Sequence, residues 1–212
     1  MYRNRKEAGE KLADLIGKDK ITVDLVLAIP RGGVEVAGVI SGKLLIPLKV
    51  VIPRKIGAPG HEEMAVGALA WEGTVLLNDS IIHALGIPQA EIDAIIAKER
   101  EEIRRRSERF PYTPRDAEIR NKNILLVDDG VATGYTVKAT IVGLRKLNPA
   151  KIFLAAPVGA RDTMRELEIL TDQVFCPLTT DDFWAVGQFY EDFSQVSDEE
   201  VMRVLRECNK GL

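Results

Sequence analysis

Residues 124–136 read ILLVDDGVATGYT, in which four apolar residues are followed by two aspartates and a loop of small residues. The apolar run predicts a buried β-strand, because strands covered on both faces lack polar alternation. The next segment, VKATIVGLRKL at 137–147, predicts a helix. The pattern therefore places Asp128 and Asp129 at the carboxyl end of a central strand, shortly before a helix.

Each part of this segment suits a different part of a phosphorylated sugar. Backbone N–H groups of residues 132–136, at the start of the helix, would converge on a phosphate, and the hydroxyls of Thr133 and Thr136 add donors. Asp128 and Asp129 are acceptors, which suit sugar hydroxyls and Mg²⁺ rather than phosphate. The alternative is a plain strand-to-helix turn with two capping aspartates.

The remaining sequence alternates strands with helices. Amphipathic helices are predicted at 4–17 and 88–109. Short apolar runs predict strands at VDLVLAIP (23–30), LIPLKVVIP (45–53), NILLVDDG (123–130), KIFLAAPVG (151–159) and DQVFCPL (172–178). This order predicts an α/β fold with a doubly wound, mostly parallel sheet flanked by helices, and a ligand site at the carboxyl ends of the strands. No linker divides the 212 residues, so one domain over 1–212 is expected.

The stretch 124–136 resembles the phosphoribosyl pyrophosphate motif of type I phosphoribosyltransferases, which has an apolar strand, two acids and a small loop ending in threonine. Two residues depart from that pattern. Gly130 stands where the family usually has an aliphatic residue, which would loosen the packing of the loop. Tyr135 stands where many members have glycine, which would place a phenol near the phosphate.

The resemblance implies transfer of ribose 5-phosphate from phosphoribosyl pyrophosphate to a nitrogen nucleophile, with pyrophosphate released and a nucleobase as the expected acceptor. Mg²⁺ is the implied cofactor, held mainly through the substrate, with Asp128 and Asp129 as its candidate protein ligands. The same two aspartates are candidate catalytic residues that hold the ribose. The residues implied to bind the phosphate are Ala132, Thr133, Gly134, Tyr135 and Thr136.

The segment AIPRGGVEVAG at 28–38 follows the first predicted strand of the sheet. By position it resembles the family's pyrophosphate loop, in which glycines let backbone amides approach the leaving group, often beside a cis non-proline peptide bond. Arg31, Gly32 and Gly33 are therefore candidate substrate-binding residues. An ordinary strand-to-helix turn is the alternative.

Residues 53–75 occupy the place of the family's flexible lid. RKIGAPGHEE is predicted to be a mobile loop, followed by a hairpin of MAVGALAW and TVLLN. Arg54 and Lys55 are the candidate catalytic cations for the pyrophosphate. His61, Glu62 and Glu63 at the tip either touch substrate or are solvated. The arginine-rich end of the helix at 88–109 is either a solvated, salt-bridged face or an anion patch.

Residues 179–212, with the N-terminal segment as a further candidate, are expected to form the family's hood over the acceptor base. Aromatic residues concentrate in TTDDFWAVGQFYEDF at 179–193. Phe183 and Trp184 are candidate base-binding residues, since aromatic rings stack on bases, although aromatic clusters also form cores. This stretch and RKIGAPGHEE resemble a subgroup of uncharacterised predicted phosphoribosyltransferases.

Bulk composition narrows the class of protein. The 29 basic and 32 acidic residues give a net charge of −3, which argues against DNA and membrane surfaces as partners. Two cysteines and two histidines argue against a structural zinc site. The charged N-terminus does not look like a signal peptide, so a cytoplasmic location is expected. The resemblance to the family makes a homodimer a candidate assembly.

Two other functions share these features. One is a non-catalytic protein that senses phosphoribosyl pyrophosphate, and the other is a hydrolase or phosphorylase acting on a ribose phosphate. The lid cations and the glycine loop favour catalysis, because a sensor needs no groups that stabilise a leaving group.

Overall fold

The computed structural model describes residues 1–210, apart from the side chains of Glu62 and Glu63. The predicted role of those two carboxylates at the lid tip therefore lies outside the described residues. The helices are α1 (Arg5–Asp19), α2 (Gly32–Leu44), α3 (Asp79–Ala84), α4 (Gln89–Arg109), α5 (Asp116–Ile119), α6 (Tyr135–Lys146), α7 (Arg161–Leu170) and α8 (Asp198–Cys208), with a 3₁₀ helix at Val186–Phe189. The strands are β1 (Leu25–Ala28), β2 (Leu48–Val50), β3 (Arg54–Ala58), β4 (His61–Leu69), β5 (Val75–Leu77), β6 (Asn123–Val127), β7 (Lys151–Ala155), β8 (Val158–Ala160), β9 (Gln173–Phe175) and β10 (Leu178–Thr180).

A five-stranded parallel sheet in the order β2-β1-β6-β7-β9 forms the centre of the molecule. Its middle strands are buried over nearly their whole length, which explains their continuous apolar sequences. One buried cluster packs α1, α2 and α8 on one face, and a second packs α6 and α7 on the other. This architecture confirms the predicted α/β class.

The register of the sheet determines where the loops emerge. Ala28 of β1 lies beside Val127 of β6, which in turn lies beside Ala155 of β7. The three strands therefore end level with one another. The loops that follow them share the carboxyl edge of the sheet, where ligands bind in folds of this kind.

A second sheet, β3-β4-β5, corrects one expectation from the sequence. The composition of residues 54–58 predicts a mobile loop, but they form β3 and pair with β4, while β5 completes the predicted hairpin with β4. Ile56 and Ala58 are buried, so β3 has an apolar face although charged residues and glycines surround these two positions in the sequence. The predicted lid is thus mainly sheet.

The lid sheet has a hydrophobic cluster of its own. Ile56, Val66 and Leu69 of the sheet pack with Ile92 and Ile96 of α4. The base of the sheet also rests on the main body, since buried Ala68 and Ala70 contact Ala139 of α6.

Two boundaries differ from the sequence patterns. The first helix continues through Gly17 and ends at Asp19, followed by Lys20 with a left-handed backbone. The second strand spans only Leu48–Val50, because Leu45 caps α2 in a left-handed conformation before the chain can extend. Within residues 1–210, no helix combines the length and apolar character needed to cross a membrane.

We expect Ile92→Ala to lower the free energy of unfolding by about 2–5 kcal/mol, because it empties a fully buried position between α4 and the lid sheet. Ile169→Ala makes the same chemical change at a position 84% exposed and should change stability by less than about 0.5 kcal/mol. Urea unfolding of both variants measures the difference. Equal effects of the two substitutions would contradict a separate lid core.

Candidate active site

Two loops meet at the carboxyl edge of the sheet. Asp128 and Asp129 follow β6, and the segment 31–33 follows β1. A Cβ atom on Gly32 would lie 1.8 Å from Oδ2 of Asp129, and one on Gly33 would lie 3.1 Å from Cα of Asp128. The loop therefore approaches the acids so closely that a side chain at Gly32 would collide with a carboxylate. The peptide bond between Pro30 and Arg31 is cis.

Asp129 is held by an arginine that the sequence reasoning missed. The Nε of Arg5 donates to Oδ2 of Asp129 at 2.7 Å, and Nη1 donates to the Ser194 carbonyl at 2.9 Å. The guanidinium lies 3.8 Å from the ring centre of Phe193, and the Arg5 side chain is only 7% exposed. A charged residue in line with the apolar positions Ala8 and Leu12 of α1 was the signal that could have revealed it.

The hood also contacts the acidic pair. The hydroxyl of Tyr190 donates to the backbone carbonyl of Asp129 at 2.6 Å. Tyr190 packs in turn on Tyr2, whose hydroxyl donates to the Pro157 carbonyl at 3.0 Å. The N-terminal segment and the hood therefore pack together over this edge of the sheet.

Asp128 lies next to the carboxylate of Asp129 at the carboxyl end of β6. Burial, together with the neighbouring negative charge of Asp129, raises the pKa of Asp128 well above its usual range. Its Oδ1 accepts the backbone N–H of Asp129 at 2.9 Å. A carboxyl group that gains a proton can both donate and accept, which suits a sugar hydroxyl.

The phosphate loop has the geometry of an anion site. Gly134, with a φ of 70°, precedes α6, and a Cβ there would lie 2.5 Å from Cγ2 of Thr163. The carbonyl of Gly134 accepts the N–H of Lys138, so the amides before Lys138 form the open first turn of the helix. Ala132 and Thr133 are exposed, and Tyr135 and Thr136 are partly exposed. These amides can face a phosphate in solvent.

Tyr135 links this loop to the lid. Its hydroxyl oxygen accepts a hydrogen bond from Nδ2 of Asn78 at 2.7 Å, and Asn78 also caps α3. Tyr135, Thr133 and Lys138 line one wall of an open cleft of ≈ 790 Å³, and residues between Met64 and Ile81 line the facing wall. The phenol predicted near the phosphate therefore also serves as a contact with the lid.

Gly130, the departure from the family pattern, lies buried under the hood. A Cβ atom there would meet Cγ1 of Val186 at 2.4 Å and Cγ1 of Val158 at 3.1 Å. The expected loosening of the loop is wrong, because Val186 fills the space beside the glycine.

The two lid cations do not lie among the residues of the two loops. Arg54 and Lys55 line a separate cleft of ≈ 830 Å³ between the lid sheet and α4. The Nε of Arg54 donates to Oε2 of Glu99 on α4 at 2.6 Å. In this conformation the carboxylate of Glu99 therefore neutralises the charge of Arg54.

The two hood aromatics lie in different environments. The ring of Phe183 packs on that of Phe189, with centroids 5.1 Å apart. Trp184 is 87% exposed, and its indole N–H donates to Asp182 at 2.5 Å. Trp184 therefore presents a free aromatic face, whereas Phe183 is part of the packing of the hood.

The donor atoms limit how a metal could bind. Leaving aside the side chains of Glu62 and Glu63, residues 1–210 contain no group of three or more histidine, cysteine or acidic side chains able to hold a metal. Asp129 already has a cationic partner in Arg5. Two adjacent carboxyl groups, one of them paired with Arg5, fit Mg²⁺ as providers of one or two of its oxygen ligands.

The parallel sheet, the acidic pair and the helical phosphate loop define a class: α/β proteins with the type I phosphoribosyltransferase fold. The family model of the phosphoribosyl transferase domain matches residues 2–194. The chain therefore belongs to the phosphoribosyl transferase domain family.

Individual relatives agree with this assignment. Two Mycobacterium tuberculosis sequences that carry the provisional name of phosphoribosyl transferase are 35% identical over 210 residues, covering 99% of this chain and 47% of theirs. The chain spans about half the length of these curated relatives.

Solved structures also share the fold. TT1426 from Thermus thermophilus superposes with a TM-score of 0.80 at 33% identity, covering 97% of this chain and 98% of that one. A hypothetical protein from Neisseria gonorrhoeae with bound ppGpp has a TM-score of 0.52 at 16% identity, covering 96% and 92% of the two chains. At that identity, the second likeness concerns the fold alone.

We expect Gly130→Ala to destabilise the protein by about 1–3 kcal/mol, because the added methyl group overlaps Val186. Val186→Ala in the same chain should recover part of this loss, since it removes the nearest colliding atom. Urea unfolding of the two single variants and the double variant gives the coupling between the sites. Additive effects would show that the hood does not pack on Gly130.

Proposed function

We propose that the protein is a phosphoribosyltransferase that transfers ribose 5-phosphate from phosphoribosyl pyrophosphate to a nitrogen nucleophile, with a nucleobase as the expected acceptor and pyrophosphate as the second product. One observation carries the proposal: the glycine loop after β1 packs directly against the acidic pair after β6. Because of this packing, a ribose bound over Asp128 and Asp129 would place its anomeric substituent beside the backbone amides of residues 31–33.

The proposed roles follow from charge. The amides at the start of α6 bind the 5-phosphate, while Asp128 and Asp129 form hydrogen bonds with the ribose hydroxyls. Arg5 holds Asp129 in place and is a positioning residue. Asp128 and Asp129 would help to hold Mg²⁺ that arrives with the substrate, which would supply positive charge for the leaving pyrophosphate. The loop amides donate to the same leaving group, which is electrostatic preorganisation.

The lid and hood complete the proposal. Arg54 would have to exchange Glu99 for the pyrophosphate when the substrate binds, and Lys55 is the second candidate cation. Trp184 offers an exposed ring on which a base could stack. A single domain, a cytoplasmic location and a homodimer stay predictions from the sequence.

We expect phosphoribosyl pyrophosphate to bind in a Mg²⁺-dependent way, and Asp128→Asn/Asp129→Asn to weaken that binding by at least about tenfold, because both ribose acceptors change. Isothermal titration with and without Mg²⁺ measures this, and a screen of nucleobases for pyrophosphate release identifies the acceptor. Asp14→Asn/Asp162→Asn makes the same two chemical changes at exposed side chains, and this variant should bind normally. No binding by the wild type would refute the function, and binding without release from any base would favour the sensor. Release without a base would favour the hydrolase.

Arg54→Gln should lower kcat/KM by about 10²- to 10³-fold, because it removes a donor to the leaving group. Glu99→Gln frees Arg54 from its partner in this conformation and should retain most of the activity. Steady-state rates of pyrophosphate release compare the two variants. If Arg54→Gln is as active as the wild type, the ion pair with Glu99 is structural.

A further inference from the structure

The arginine-rich end of α4 forms a recess whose three α4 arginines have no role in the proposed reaction. Its lining consists of four arginines, one aspartate and one aromatic residue: Arg31, Arg105, Arg106, Arg109, Asp198 and Phe110. The recess has a volume of ≈ 150 Å³. Phe110 is buried and forms an apolar floor.

The carboxylates nearby only partly balance these guanidinium groups. Asp198 pairs with Arg109 at 2.7 Å and lies 3.8 Å from Arg31. Glu102 pairs with both Arg105 and Arg106, and the hydrogen bonds from these two arginines lower its pKa to about 2. Within residues 1–210, these four arginines share ion pairs with two carboxylates, so the recess keeps a net positive charge.

We propose that this recess is a binding site for a diphosphate group. Guanidinium groups match phosphate oxygens with paired N–H donors, and several of them around one recess can bind two linked phosphates. The volume is below the roughly 300–1,000 Å³ of pockets that enclose a whole small molecule, so the recess takes the diphosphate while the rest of the ligand stays outside.

The position of Arg31 joins this recess to the proposed active site. The Arg31 side chain lies with α4 and α8, whereas the next residue, Gly32, packs against Asp129. A diphosphate in the recess would attract Arg31 and compete with Asp198 for it. Occupancy of the recess therefore acts on the loop that contacts the acidic pair.

The diphosphate could come from two sources, the sugar substrate itself or a separate diphosphate-bearing effector. Arg105 also lines the larger cleft beneath the lid, so the recess and that cleft share one arginine. The inference rests on the proposed function only for the first source.

Titration of the full chain with inorganic pyrophosphate tests the site. Arg105→Gln and Arg109→Gln should each weaken binding about tenfold or more, and binding should weaken as salt is added. Arg104→Gln is the matched control, since Arg104 is on the same helix, is 65% exposed and pairs with Glu101 and Glu108 outside the recess. Arg105→Gln leaves Glu102 paired with Arg106, so this variant should fold even if Arg109→Gln does not.

A parallel titration with phosphoribosyl pyrophosphate and Mg²⁺ separates the sources. A matching loss of affinity in Arg105→Gln assigns the recess to the diphosphate of the substrate, and unchanged affinity assigns it to a separate ligand. Arginine-dependent pyrophosphate binding without any binding of the sugar substrate would refute the transferase and leave the recess supported. Pyrophosphate affinities of Arg105→Gln and Arg109→Gln within twofold of Arg104→Gln, or no binding to the wild type at millimolar concentration, would overturn the site.

Discussion

The buried ion pair between Arg5 and Asp129 connects the parts of the site. Arg5 comes from the first helix, Asp129 follows the central strand, and Phe193 and Ser194 of the hood cover the guanidinium. Removing one partner of such a pair leaves an uncompensated buried charge, which typically costs about 3–5 kcal/mol. The glycine loop must then fit beside a carboxylate whose position is already set, which is why residue 32 has no room for a side chain.

The fold was largely predictable because its signals are local. Each central strand is a continuous apolar run, and each following helix has its own periodicity, so order and fold class follow from the sequence. The lid strand β3 was not predicted because its apolar face has only two residues. The other three residues are Arg54, Lys55 and Gly57, which are typical of a loop. Pairing with β4 and packing on α4 supply what the local pattern lacks.

The site was predictable where its residues are adjacent in sequence, as in the acidic pair with its phosphate loop. Contacts between distant segments were not predictable. Three hydrogen-bonded pairs show this. The sequence separations are 124 residues for Arg5 and Asp129, 57 residues for Asn78 and Tyr135, and 45 residues for Arg54 and Glu99. Such pairs depend on how the sheets and helices assemble, and no spacing rule within one segment encodes them. The role of Gly130 likewise depends on a distant residue, because the side chain of Val186 packs against it.

The separate core of the lid has an evolutionary consequence. Ile56, Val66 and Ile92 belong to one cluster, while the carboxyl edge of the central sheet is supported by the two clusters that flank the sheet. Energetic effects of substitutions that share no packing partner usually add without interaction. Trp71 packs on both the lid cluster and the cluster beneath α6, so this independence applies to lid residues away from Trp71. A lineage can therefore vary those lid residues while Asp128 and Asp129 keep their surroundings at the sheet edge.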